Sequence, residues 1–127
     1  MVIDANVLSA WYLETGQRHD HVLHRLGTAR DWRCPPIWRS EFNSVLMKHV
    51  RRRGLQMEAA ITAHAEAESA ITLLNQPDPE EVLPLALHSG CSTYDCEYVV
   101  AARNAGLPLY TFDKKLIKAF PNIAREP

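Results

Sequence analysis

The chain has 127 residues, 46% of them hydrophobic and 23% charged, with a formal net charge of −1. That length predicts a single domain over residues 1–127, large enough for one core and too short for two. A near-neutral balance excludes a generic electrostatic binder of nucleic acid, so any affinity for RNA or DNA must come from local basic patches or a bound cation.

Met1 to Asp4 reads as a very short strand leading into a helix, roughly Val7 to Glu14, that ends before Gly16. His19 to Ala29 has helical spacing through Val22, Leu23 and Leu26. His19, His21 and His24 do not share one face of that helix, so they are expected to be solvated rather than to bind metal. Trp32-Arg33-Cys34 reads as a second strand, stopped by Pro35-Pro36. From about Ile37 to Arg53, Phe42, Val45, Leu46, His49 and Val50 mark a strongly amphipathic helix, with Gly54 as its stop. Met57 to Leu74 is read as helical throughout, which makes a helical hairpin around Arg51-Arg52-Arg53-Gly54.

After a loop at Asn75 to Pro79, a short helix spans about Glu80 to Ser89 and is broken by Gly90. Ser92-Thr93-Tyr94-Asp95 fits a capping box for a helix that closes at Gly106. Leu107 to Phe112 is a strand, Lys114 to Phe120 a short helix, and Ile123-Ala124 a last edge strand. Alternating strands and helices imply a mostly parallel sheet covered on both faces. Three cysteines, an odd number, argue against a disulfide framework, and His88, Cys91 and Cys96 lack the close cysteine pair of a zinc site. No apolar run reaches the length of a membrane span and no signal core opens the chain, so a cytoplasmic protein is expected.

Four acids stand where strands end or helices begin: Asp4, Glu41, Asp95 and Asp113. Singly, each has a structural explanation, because Asp4 and Asp113 suit N-caps, Asp95 suits a capping box, and Glu41 suits a helix N-terminus. Jointly they are expected on one rim of the sheet, as oxygen ligands for a hard divalent cation. Asn6 and Thr111 are expected to orient carboxylates or water, and Arg39 and Lys114 to contact phosphates. Lys115 and Lys118 share that alternative, as do Tyr94, Trp11 and Trp38 for stacking on a base, although core packing suits the aromatics better. Nothing in the pattern places a histidine or lysine as a base.

Val2-Ile3-Asp4-Ala5-Asn6, Ser40-Glu41-Phe42-Asn43-Ser44-Val45-Leu46, Tyr94-Asp95-Cys96-Glu97-Tyr98-Val99-Val100-Ala101-Ala102 and Leu109-Tyr110-Thr111-Phe112-Asp113-Lys114-Lys115-Leu116 together resemble the PIN domain. More narrowly, they resemble VapC-type toxins of toxin–antitoxin pairs, over essentially the whole chain. The resemblance implies a PIN-like α/β/α sandwich with a short, mostly parallel four- or five-stranded sheet, strand order 3-2-1-4, and a protruding helical hairpin. It implies an endoribonuclease dependent on Mg2+ or Mn2+, held by Asp4, Glu41, Asp95 and Asp113, that leaves a 3′-hydroxyl and a 5′-phosphate. A cognate antitoxin and a homodimer formed through the hairpin at Ile37 to Leu74 are implied as partners. The alternative is a non-catalytic PIN-fold module that binds nucleic acid or protein. A receiver-like phosphoacceptor would need an adjacent acidic pair, which Asp4-Ala5-Asn6 does not supply.

Overall fold

The computed structural model describes residues 1–27 and 31–127; the end of the predicted second helix, at 28–29, lies outside the described residues. The chain runs β1 (Val2–Ile3), α1 (Ala5–Tyr12), α2 (Gln17–Leu26), β2 (Trp32–Cys34), α3 (Trp38–Arg52) and α4 (Met57–Ala70). It continues through β3 (Ile71–Leu73), α5 (Pro79–Ser89), α6 (Thr93–Ala105), β4 (Leu109–Tyr110), α7 (Lys114–Ala119) and β5 (Ala124–Arg125). The sheet order is β3-β2-β1-β4-β5 and every neighbouring pair is parallel. The expected 3-2-1-4 core is therefore present, with β5 added at the edge beside β4.

This order fixes where a site can form. From β1 the chain steps outward to β2 and β3, and from β4 it steps the other way to β5. Right-handed crossovers put α1 to α4 on one face and α5 to α7 on the other. Contacts of α1 with α2 and α3, of α3 with α4, and of α5 with α6 agree with two helical layers. The reversal lies between β1 and β4, and a crevice opens there at the carboxyl ends of the strands. Val2 and Ile3 are fully buried, as a central strand covered on both faces requires.

The residues of β3 were not read as a strand: the sequence reads as one helix to Leu74, whereas α4 stops at Ala70. Alanine-rich spacing masks the boundary, but Ile71 and Thr72 are β-branched and pair in register with Trp32 and Arg33. As the edge of the sheet β3 is largely exposed, so it carries little of the alternating burial that marks a strand. Trp32, Trp38, Phe42 and Tyr98 are the largest side chains of the single core, each at most 1% exposed. Burial of one such ring is worth about 1.5–3 kcal/mol.

Candidate active site

At the crevice, β1 delivers Asp4, which caps α1. Its Oδ1 accepts hydrogen bonds from the backbone N–H groups of Asn6 and Val7, both at 3.1 Å. The Asn6 side chain then ties the two central strands together. Its Oδ1 accepts from Phe112 N at 3.0 Å and its Nδ2 donates to Thr111 Oγ1 at 3.4 Å. Thr111 is fully buried, and its Oγ1 also accepts from Asp113 N at 2.9 Å. Asn6 and Thr111 thus hold the β1 and β4 strand ends in a fixed relation.

Glu41 arrives from the first turn of α3 and Asp95 from the first turn of α6. Ser92 Oγ accepts from Asp95 N at 3.0 Å, so the backbone half of the capping box forms while the Asp95 carboxylate faces the cleft. Asp4, Glu41 and Asp95 line one cavity of about 280 Å³, together with Asn6, Ser44, Val45, Lys48 and Tyr98. Burial first, and then the nearby Glu41 charge, push the Asp4 carboxyl up to about 7, against the pull of Thr111 and of the capping N–H groups. Burial, then Asp95 and Glu97, raise Glu41 as well, while the Tyr98 hydroxyl lowers it. These are carboxylates packed against their own electrostatic preference.

Asp113 differs from expectation. It stands on the same rim, but its Oδ1 accepts from Lys115 N and Leu116 N at 2.9 and 3.1 Å, and it does not line the cavity. Among the described residues, no three acids, histidines or cysteines close into a ready-made metal cage. Three of the four expected acids share the cleft, and the fourth is joined to it through Thr111 and Asn6. The donor set still fits magnesium or manganese. Both take hard oxygen donors, and magnesium needs only one or two carboxylates, with water and phosphate completing its shell.

Arg39 is a correction: it forms a multidentate ion pair with Glu68 of α4, its Nε 2.9 and 3.1 Å from the two carboxylate oxygens, and its guanidinium lies over Trp38. It braces the hairpin and does not line the cleft, because on α3 it faces α4. Lys114 is exposed at the start of α7 and is also outside the cleft. Lys115 donates to Gly90 O at 2.9 Å. Trp38 is core and Trp11 packs edge-on against Trp32, whereas Tyr94 is 57% exposed beside Asp95.

Two cleft residues went unread in the sequence. Lys48 follows Glu41, Ser44 and Val45 at offsets of seven, four and three, so extending the Glu41 face along α3 reaches it. Tyr98 lies three after Asp95 on α6 by the same logic. Its hydroxyl is buried, faces Glu41 closely enough to lower that group's proton affinity, and makes no hydrogen bond of normal geometry.

The chain is similar to Ribonuclease VapC3 of Pyrobaculum aerophilum, 29% identical over 125 residues that span 95% of each chain. It is also similar to Exonuclease VapC9 of the same organism, 31% identical over 77 residues, 61% of this chain and 58% of that one. Among solved structures, Pyrobaculum aerophilum PAE2754 superposes with a TM-score of 0.78 at 24% identity, covering 97% of this chain and 81% of that one. Mycobacterium tuberculosis VapC20, a sarcin-ricin loop cleaving toxin, superposes with a TM-score of 0.63 at 17% identity, covering 93% of each chain. These last two likenesses concern the fold. The PIN domain family profile matches residues 1–122, and this chain is a member of the PIN domain family.

Proposed function

We propose that the chain is a nuclease that hydrolyses RNA phosphodiester bonds with a divalent cation, as the toxin of a toxin–antitoxin pair. One observation carries this reading: three carboxylates from separate segments share one cavity at the reversal of the sheet, with Asp4 pushed up to about 7. Such a cluster is costly alone and favourable around a cation. Relatives named ribonuclease and exonuclease support the same chemistry, and the intact acids disfavour a module that only binds.

Asp4, Glu41 and Asp95 hold the Mg2+ or Mn2+, with Asp113 as an outer member of the set. When bound, the cation lowers the pKa of the attacking water and neutralises charge developing on the phosphate. Asn6 and Thr111 keep Asp4 fixed through the strand-end hydrogen bonds. Glu41, with a raised proton affinity and a place at the cleft margin, accepts a hydrogen bond from the attacking water and orients it in line with the leaving oxygen. Lys114, exposed beside the rim, meets outlying phosphate.

The α3–α4 hairpin supports the partner assignments. Between the helices lies an apolar groove of about 760 Å³ lined by Leu46, Met47, Val50, Met57, Ile61 and His64. Met57 and Ile61 are 46% and 63% exposed there, which suits a homodimer contact and antitoxin docking. One continuous core supports a single domain over residues 1–127. No helix among the described residues is long and apolar enough to cross a membrane, in keeping with cytoplasmic action.

Asp4→Asn tests the reading cleanly, because asparagine caps a helix as well as aspartate does and the fold is kept. The variant should lose magnesium-dependent RNA cleavage while its circular dichroism matches the native protein. Unchanged cleavage rejects the assignment.

A further inference from the structure

A second polar pocket, of about 600 Å³, lies between the α1–α2 junction and the end of α3, where Arg18, His49 and Arg53 line it. It adjoins the acidic cleft. Arg18 Nη2 lies 3.5 Å from the backbone oxygen of Asn6, and its guanidinium sits 4.3 Å over the Phe112 ring. His49 is one turn beyond Val45 and its Nδ1 is 3.0 Å from Val45 O, so Arg18 and His49 of the pocket each touch a residue that lines the cleft, Asn6 and Val45. Lys48, exposed at the cleft margin, precedes His49 in the chain.

We propose that this pocket, entered past Lys48, holds the RNA phosphodiester backbone next to the bond being cleaved. This rests on the nuclease reading above and adds the path of the substrate. The whole chain carries a net charge of −1, so a polyanion needs a local concentration of cations, and Arg18 and Arg53 in the pocket lining provide one. Glu14 pairs with Arg18 at 3.6 Å and opposes one charge, but that arginine side chain stays 46% exposed. Arg53 has no ion-pair partner among the described residues. A guanidinium fork matches two phosphate oxygens at once. Leu13 and Leu55 give the pocket apolar walls against which a ribose or base can rest. A strand with a charge at every nucleotide meets positive groups in sequence as it leaves the acidic cleft, which a small anion does not need.

The test is binding of a labelled single-stranded RNA of about a dozen nucleotides to full-length protein in EDTA, across a salt series, alongside cleavage in magnesium. Arg53 lies beyond the end of α3, so Arg53→Gln leaves the helix intact. Arg53→Gln and Arg18→Gln should each weaken binding about fivefold or more and flatten the salt dependence by about 0.7 in slope per lost contact. Arg103→Gln, in the last turn of α6 at the opposite rim, removes the same charge and should bind as native. Arg53→Gln and Arg18→Gln binding like Arg103→Gln would overturn the proposal. So would RNA binding unmoved by Arg53→Gln with an oligoglutamate peptide bound in its place, which would make the pocket a protein-docking site. The two readings separate. Asp4-dependent cleavage with no change of KM in Arg53→Gln removes the pocket and keeps the nuclease. RNA that binds through Arg53 and is never cleaved does the reverse.

Discussion

Helix α3 serves two surfaces that are built on opposite principles. Residues advance about 100° each around a helix, so Glu41, Ser44, Val45 and Lys48 share one face and Asn43, Met47 and Val50 the nearly opposite one, with Trp38, Phe42 and Leu46 buried between them. The first face enters a small polar cleft whose acids are half-buried or buried and whose backbone is tied by side-chain hydrogen bonds. The second lines a larger apolar groove in which Met57 and Ile61 of α4 are exposed. The cleft places charge where water is scarce, a feature that pays only when a ligand arrives. The groove leaves apolar area in water, which a protein partner would cover. An acidic cleft and an apolar groove are thereby separated on one helix.

The largest effect should come from the cleft. Glu41→Gln is expected to lower kcat by about 100-fold or more, the scale of losing one preorganised polar group, with the oligomeric state unchanged by ultracentrifugation. Phe42→Ala, between the two faces, should cost about 3–5 kcal/mol in denaturant unfolding and disturb both surfaces together. If only one surface responds, α3 is not the rigid link described.

Next is a pH dependence in chelator-treated protein. Asp4 is raised to about 7, above the ~3.9 of an unfolded aspartate, so the folded state binds more protons between pH 4 and 7. Stability from this group is complete below pH 4 and is lost as pH rises through 7, about 4 kcal/mol at most. Melting temperatures should fall over that window, and manganese should restore them at pH 8. Asp4→Asn should remove both effects, and a slope that persists in the variant would assign them elsewhere.

Ile61→Glu should act on the other surface, weakening self-association about tenfold or more by putting a charge in the apolar groove, with manganese affinity as in the native protein. Smallest is Tyr98→Phe. Its hydroxyl makes no hydrogen bond of normal geometry, so stability should change by less than about 1 kcal/mol. Glu41, without the hydroxyl that lowers its proton affinity, should have its activity profile shifted to higher pH. An unshifted profile would remove Tyr98 from the cleft's electrostatics.

Local chemistry decided what was legible in the sequence. Asp4, Asn6, Thr111, Glu41 and Asp95 sit at strand ends and first helical turns, where short spacing and capping rules speak directly. The strands Val2–Ile3 and Trp32–Cys34 were legible from their apolar or β-prone residues between turn signals. β3 was not, because an exposed edge strand following an alanine-rich helix has neither a break nor alternating burial. Arg39 misled because proximity to Glu41 in sequence says nothing about direction, and on α3 the arginine turns to Glu68. Asp113 fills, through Oδ1, the capping role that was legible from the start, and it lies outside the cavity lining. Lys48 follows from the Glu41 face of α3, whereas Arg18 depends on which helices are brought together, and that is tertiary information.

Asp4, Glu41 and Asp95 are proposed to share one cation. Anomalous scattering from a manganese-soaked crystal tests this directly. A single strong peak is expected in the cleft about 2.1 Å from carboxylate oxygens of at least two of these residues. A peak confined to other acids, or none between these three at saturating manganese, would contradict it.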